Sequence, residues 1–444
     1  MANTTVTVCE GQQLHQTVPE TAKQRQMPSA SCPKPINIVF NGKNGRGMQD
    51  NFVLTERLLS QHVMLIGGIG SGKTNTFNQI LSNVIPQLSS RDVMIIFDTK
   101  GDFYKEFYQK GDIVISNDDT ACGSNGEDYW NLINELQDDK LKEDVIEVAT
   151  ALFADKLKKA GDNSFFPQAA KDIMSAILYH FGLKKSFVKS DNFTLSETMK
   201  KEDLKWYHSI LKMYSQFTAM SSYIPEDALG QALGVIAEIQ QIVRSLFVGN
   251  FAKRGTLSIR DLVRKKGGRK IFIEYDIGVG GMLTPIYSLL FDLAIKEALC
   301  RSKSDGNVFF ICDEFKLLPN LKHIDDAVNF GRSLGIKFMI GVQNVDQIIE
   351  TYGENMTKNI FSGFLTQFSF KVSDYSTRKY IKERSGENRK CTVYKSVSVQ
   401  ESISTANVVE DWDVSNLQLG EAIVSLNGSE PFKFGFSEYK GKRI

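Results

Sequence analysis

His62-Val63-Met64-Leu65-Ile66-Gly67-Gly68-Ile69-Gly70-Ser71-Gly72-Lys73-Thr74 joins a short apolar run to a helical pattern that continues to Leu81. The junction matches G-x-x-x-x-G-K-[ST] in full, and its setting between a buried strand and a helix is the one the motif requires. Gly67, Gly68, Gly70 and Gly72 free the backbone to turn successive N–H groups inward around phosphate oxygens, with Ser71 in the same loop. The helix N-terminus adds its positive dipole end. Lys73 then reaches the β- and γ-phosphates, and the Thr74 hydroxyl is placed to hold Mg²⁺.

Working outward, Val93–Phe97 is a second apolar run, closed by Asp98, and Ile113–Ile115 is a third. Further runs lie at Ile271–Ile273, Val308–Cys312, Phe338–Val342 and Phe364–Phe370. Helical stretches such as Tyr287–Cys300 separate them. Continuous apolar strands alternating with helices predict an α/β fold with a mainly parallel sheet covered on both faces. Between about 130 and 250 the period is helical, with Leu141, Val145, Val148, Leu152 and Phe153 on one face. Phe166, Ala170, Ile173, Ile177 and Phe181 line another. Ser164 and Pro167 mark a helix start. Near the C-terminus, Val393, Val397 and Val399, then Ala422–Leu426 and Phe432–Phe436, read as short strands appended to the sheet. The expected organisation is a polar N-terminal arm over 1–45, a nucleotide-binding domain over 46–120 and 255–444, and an all-α insertion over 121–254.

Composition narrows the classes. A chain of 444 residues with 53 Lys+Arg against 52 Asp+Glu has no global charge bias toward nucleic acid, so any such contact must gather its basic groups locally. The six cysteines (9, 32, 122, 300, 312 and 391) form no C-x-x-C, and the five histidines form no H-x-x-x-H, which argues against a zinc site and for reduced thiols in a cytosolic protein. The first 31 residues lack the apolar core of a signal peptide. The most apolar stretch, Leu283–Leu299, is interrupted by Asp292, Lys296 and Glu297.

A P-loop needs a second acid, and Val308-Phe309-Phe310-Ile311-Cys312-Asp313-Glu314 delivers two at a strand end. Asp313 would enter the Mg²⁺ shell and Glu314 would act as general base on the attacking water. Asp98 also ends an apolar strand and is the rival metal-side acid. The neighbouring glutamate favours Asp313, because Asp98 is followed by Thr99. Gln343 ends the strand Phe338–Val342, facing the crevice where open parallel sheets bind ligands, as a γ-phosphate sensor or a solvated strand end. Arg332 is a candidate arginine finger acting on a neighbouring subunit's nucleotide, or else a surface residue of a turn. The basic runs Arg264–Lys270, Lys156–Lys159 and Lys440–Arg443 are candidate phosphate contacts.

This order of motifs resembles the type IV coupling proteins of conjugation and type IV secretion, RecA-like P-loop relatives of DNA translocases. The likeness rests on Gly67–Thr74, Asp98-Thr99-Lys100-Gly101-Asp102, Asp313-Glu314-Phe315, Gly331-Arg332-Ser333-Leu334-Gly335, and Gln343 followed by Tyr352-Gly353. Trp130-Asn131-Leu132 and Phe165-Phe166 extend it, so that it covers roughly 55–435. It implies an ATP- and Mg²⁺-dependent hexameric motor at the cytoplasmic face of a bacterial inner membrane. Such a motor passes DNA, expected to be single-stranded, and a relaxase-type protein into a channel, and it is a monomer until it assembles. Members usually carry an N-terminal transmembrane pair. Here a polar arm stands instead, so a separate membrane subunit is the expected anchor. The alternatives are a soluble translocase of repair, plasmid maintenance or phage defence, and a nucleotide-dependent substrate-receptor scaffold.

Overall fold

The computed structural model describes residues 3–24, 35–118, 128–161, 163–185, 190–300, 305–395 and 399–441. Among them run fourteen strands: β1 (Asn3–Glu10), β2 (Ile38–Asn44), β3 (Gln49–Leu54), β4 (Val63–Ile66), β5 (Val93–Asp98), β6 (Ile113–Ile115), β7 (Lys270–Glu274), β8 (Val308–Cys312), β9 (Ile336–Val342), β10 (Thr366–Phe370), β11 (Glu387–Lys395), β12 (Val399–Asn407), β13 (Glu421–Ser425) and β14 (Phe432–Phe436). The chain divides into two compact units. The first comprises Met1–Met94, Ser302–Lys316 and Asp325–Ile444, and the second Ile95–Arg301 and Leu317–Ile324.

In the first unit the strand order is β3-β2-β14-β13-β10-β4-β9-β8. The apolar runs read from the sequence form its parallel part. Val63 pairs with Met339 and with Thr366, and Val308 with Ile336, all in parallel register. Every residue of β4, β8, β9 and β10 is buried; β4 and β8 are apolar throughout, whereas β9 buries Lys337 and β10 buries Thr366, Gln367 and Ser369. Of the C-terminal strands expected on this sheet, two are appended, β13 pairing antiparallel with β10 and β14 with β13. The strands that carry Val393 and Val399 belong instead to a separate sheet, and Val397 lies outside the described residues.

The hairpin β2–β3 continues the antiparallel part, β14 pairing with β2. Phe52 at its centre lies 4.9 Å, edge-on, from Phe434 and 4.9 Å from Phe40. Burying each such ring stabilises the fold by about 2 kcal/mol, with more from the ring geometry. Part of the segment expected as a polar arm is thus regular structure. Its first strand, β1, pairs antiparallel with β11, and β11 pairs with β12, as a separate three-stranded sheet.

The second unit holds β6 and β7 in parallel, Ile113 against Ile271, together with the helices. Leu141–Ala160, Phe165–Lys184 and Leu229–Leu246 bury the apolar stripes predicted from their periodicity. The chain enters and leaves this helical stretch side by side: Asn131 N–H donates to Leu257 O at 2.9 Å, and Leu257 N–H to Tyr129 O at 3.0 Å.

Fully buried Glu135 locks that neck. It accepts from Trp130 Nε1 at 2.7 Å, Ser258 Oγ at 3.0 Å and the Ile259 N–H at 2.7 Å. Beside it, Arg260 makes a bidentate pair with Asp144, at 2.7 and 3.0 Å, with both side chains almost wholly buried. Among the described residues no helix is long and apolar enough to cross a membrane.

Candidate nucleotide site

The loop after β4 leaves the sheet between two neighbours. Gly67 N–H donates to Val342 O at 3.0 Å and Gly68 N–H to Lys371 O at 2.9 Å. Its glycines answer different demands. A Cβ on Gly67 would lie 2.6 Å from both Phe370 Cβ and Ser71 Oγ, whereas Gly72 has φ +113° and lies under Gly420. The helix Lys73–Val84 starts on Gly72, which offers no side-chain cap. The amide groups of its first turn are thus left to an anion. Ser71 Oγ is buried without a hydrogen-bond partner, facing the same turn. An orphaned hydroxyl, an uncapped helix start and a glycine cradle together fit a phosphate group.

Lys73 is buried, and its Nζ donates to the carbonyl oxygens of Gly67 at 2.5 Å and Gly68 at 3.0 Å. Thr74 Oγ1 donates to Asp313 Oδ2 at 3.1 Å, across 239 residues of sequence. This joins the two oxygens expected to hold the metal. β9 approaches the end of β8 so closely that a Cβ on Gly341 would sit 2.0 Å from the Asp313 carbonyl oxygen. On the next residue, Glu314 Oε2 accepts a short hydrogen bond from Gln343 Nε2. Burial pushes the Glu314 carboxyl up, and the Asp313 charge adds to this; Lys316, Lys73 and the Gln343 hydrogen bond oppose it. Lys316 Nζ stands 4.0 Å from Glu314 Oε1. A carboxylate held above its usual range and hydrogen-bonded at one oxygen suits proton abstraction from water.

The structure therefore brings Gly67–Thr74, Asp313, Glu314 and Gln343 together. It does not bring Arg332. That residue is exposed in the turn Gly331–Leu334 before β9, while Gln343 follows its far end. Seven strand residues span about 20 Å. Asp98 has structural work of its own, accepting the Lys100 and Tyr104 amides at 3.3 and 2.8 Å at the start of the helix Asp102–Phe107. Burial foremost raises its carboxyl.

Much of the basic run Arg264–Lys270 is paired with acids: Arg264 with Glu297, Lys265 with Asp261 and Lys270 with Asp112. Lys156 is paired with Glu238. Lys442 and Arg443 lie outside the described residues, as do Cys32 and Cys122. Sequence reading missed Phe370, Lys371 and Gly420, whose N–H donates to Ser71 O at 3.0 Å. No local signal marks these contacts.

Residues 52–429 match the family described as the type IV secretion-system coupling protein DNA-binding domain. The chain belongs to this family. Among the curated coupling proteins, TraD of Escherichia coli K12 is 22% identical over 366 residues, 79% of this chain but 48% of TraD. The conjugal transfer protein TraG of Rhizobium radiobacter is 22% identical over 94% of this chain and 66% of its own. The chain thus spans about half the length of TraD.

Among solved structures, unbound TrwBdeltaN70, a bacterial conjugative coupling protein, aligns with TM-score 0.72 at 17% identity, over 88% of this chain and 87% of that one. TrwB with the ATP analogue ADPNP aligns with TM-score 0.69 at 18% identity, covering 87% of each chain. TrwB with ADP and Mg²⁺ aligns with TM-score 0.69 at 17% identity, covering 88% of each. At these identities the likeness establishes the coupling-protein fold.

Proposed function

We propose that this coupling protein is an ATP-hydrolysing motor that moves DNA, or a DNA–protein complex, into a type IV secretion or conjugation channel. The observation that carries the reading is the joining of Thr74 to Asp313, and of Glu314 to Gln343, beside the glycine cradle. The binding of ADPNP, and of ADP with Mg²⁺, by structurally similar TrwB supports it. In this reading the amides of Gly70, Gly72, Lys73 and Thr74 bind the β- and γ-phosphates, with Lys73 exchanging its carbonyl partners for phosphate oxygens. Thr74 and Asp313 would hold Mg²⁺, which when bound neutralises charge on those oxygens. Glu314 takes the proton of the attacking water, and Gln343 holds Glu314 and senses the γ-phosphate. Arg332 completes the site of a neighbouring copy.

The helical stretch 121–254 is an inserted domain meeting DNA or a relaxase-type protein, and 46–120 with 255–444 is the motor. The working form is a ring, six-membered by the family resemblance, at the cytoplasmic face of a bacterial membrane, anchored by separate channel proteins. The isolated chain is a monomer.

The test is steady-state ATP hydrolysis with and without single-stranded and duplex DNA, for the wild type and for Lys73→Ala, Glu314→Gln and Arg332→Ala. We expect DNA to stimulate the wild type and each substitution to lower kcat by at least about 100-fold. Undiminished hydrolysis by Glu314→Gln overturns the base assignment. Hydrolysis indifferent to DNA at every protein concentration favours a nucleotide-dependent scaffold.

A further inference from the structure

Away from the P-loop, a second group of chemistry-bearing side chains converges within the second unit. It draws Glu147 from the helix Leu141–Ala160, Asp292 from the helix Gly280–Leu299, and His323 from the segment Leu317–Ile324. One ligand-type atom from each lies within 4.8 Å of the others. Asp292 is fully engaged by His323, Oδ1 accepting its backbone N–H and Oδ2 facing Nδ1, both at 2.9 Å. That contact assigns the proton of a neutral imidazole to Nδ1 and leaves the lone pair of Nε2 directed elsewhere.

Glu147 Oε1, a buried oxygen with no hydrogen bond, lies 3.6 Å from Nε2. The gap is long for a direct hydrogen bond. It suits two ligands of one ion, because donors each about 2.0–2.1 Å from zinc lie about 3.3 Å apart at the tetrahedral angle. The carboxylate–imidazole–metal order, with the acid fixing the ring from behind, is the usual support of a metal-bound histidine.

Two further observations point the same way. Among the described residues the ion pairs of Asp144, Glu147 and Asp292 are with Lys296, which holds Glu147 Oε2 and Asp144 Oδ1, with Arg260 on Asp144, and with His323. Burial lowers the His323 imidazole, but Asp292 and Glu147 hold it above its ordinary range. With the imidazole neutral, as a metal ligand must be, the two fixed cations leave one negative charge of the three acids for a divalent ion that takes the proton's place. Glu147 and Asp292 also line a cavity of about 250 Å³, together with Thr150, Ser288, Asn320 and Lys322. Ser288 is only 6% exposed, and its Oγ has no partner.

We propose that Glu147 Oε1 and His323 Nε2 bind a divalent metal of the zinc class, with Asp292 as positioning residue. Water held by the Ser288 side of the cavity completes the coordination. The metal fastens Leu317–Ile324, the segment that follows Asp313 and Glu314 in the chain, to two long helices. The site does not depend on the nucleotide reading.

The experiment is titration of the metal-stripped full chain with Zn²⁺ by calorimetry, and with Co²⁺ by visible absorption, followed by X-ray absorption of the loaded protein. We expect one ion per chain, with one imidazole and otherwise oxygen ligands. Glu147→Gln and His323→Ala should weaken binding at least 100-fold, and Asp292→Asn by about 10–100-fold, as for other outer partners of a metal-bound histidine. His15→Ala, which removes another acid-paired histidine, should change nothing. Any of three results overturns the proposal: no binding by the wild type, sulfur in the X-ray absorption spectrum, or affinity indifferent to Glu147→Gln and His323→Ala. Glu147→Gln is nearly isosteric, and the wild-type spectrum needs no variant, so a misfolded His323→Ala leaves the test intact.

Discussion

Gly341→Ala separates geometric from chemical explanations of the P-loop site. The added Cβ would lie 2.0 Å from the carbonyl oxygen of Asp313, 2.8 Å from its carbonyl carbon and 3.2 Å from its Cα, all backbone atoms that no rotamer change removes. Real Cβ atoms keep at least 3.0 Å from such neighbours, so the ends of β8 and β9 must part by about 1 Å. Those ends carry Asp313 and Gln343, and the Thr74–Asp313 contact is only 3.1 Å long. A displacement of that size breaks the contact and moves Glu314 relative to Gln343. Misplacing catalytic groups by about 1 Å costs about 100-fold in rate, and the overpacking itself costs about 1–3 kcal/mol of stability.

The assay is kcat for ATP hydrolysis over a Mg²⁺ titration, with urea unfolding in parallel. We expect kcat to fall about 100-fold and the Mg²⁺ requirement to rise, while the protein stays folded. The helical Gly281→Ala meets nothing within 4 Å and serves as the control, neutral or slightly stabilising. A Gly341→Ala enzyme within about threefold of the wild type in kcat refutes the reasoning, because the site would then tolerate a shift of about 1 Å, enough to stretch a 3.1 Å contact beyond hydrogen-bonding range.

Three further outcomes follow from buried charge. As the proposed general base Glu314 would work deprotonated, and its carboxyl is raised, chiefly by burial. The acidic limb of the kcat–pH profile should therefore lie above the ordinary glutamate range, with activity lost as pH falls through it, and Glu314→Gln should abolish the limb. Asp144→Ala leaves Arg260 buried without its carboxylate and should cost about 3–5 kcal/mol in urea unfolding, with much of the loss recovered when Arg260 is replaced by leucine as well. Burial lowers the imidazole of His62 from 6.5 to about 3, so the unfolded chain binds a proton the folded chain refuses. Stability should then decline as pH falls from about 6.5 toward 3, and His62→Asn, which suits φ +58° and keeps an acceptor near the Phe338 N–H, should flatten that part of the curve.

What the sequence could show was whatever the backbone demands locally. The P-loop is legible because close turning and phosphate approach require glycines at fixed spacing. Asp313 and Glu314 are legible because fully buried parallel strands announce themselves as apolar runs. The hairpin β2–β3 is not. Of its inward positions Ile38, Phe40, Gly42 and Asn44, only two are apolar. Gly42 is forced, because a Cβ there would strike the Gly435 carbonyl at 2.0 Å, and Asn44 turns its side chain onto the amides of Arg46 and Met48. The contacts of Ser71 with Gly420 and of Gly68 with Lys371 are set by strands over 300 residues away. Gly341 reads as an ordinary strand residue until β8 is laid beside it.

The placement of Arg332 turns one sequence expectation into a geometric condition. β9 is flanked by Arg332 before its start and Gln343 after its end, and about 20 Å of straight strand lies between them, more than an arginine side chain can bridge. Whatever Arg332 does for hydrolysis, it cannot do on its own chain. If it acts on nucleotide at all, it acts on another copy's, through a head-to-tail contact that puts the start of one β9 near the end of another. Contacts of that kind are heterologous and close into rings when the rotation permits. Lys73→Ala protein keeps its arginine and Arg332→Ala protein keeps its P-loop, so a mixture of the two inactive variants should regain part of the wild-type rate. No rescue at any mixing ratio would leave Arg332 as a surface residue of its turn.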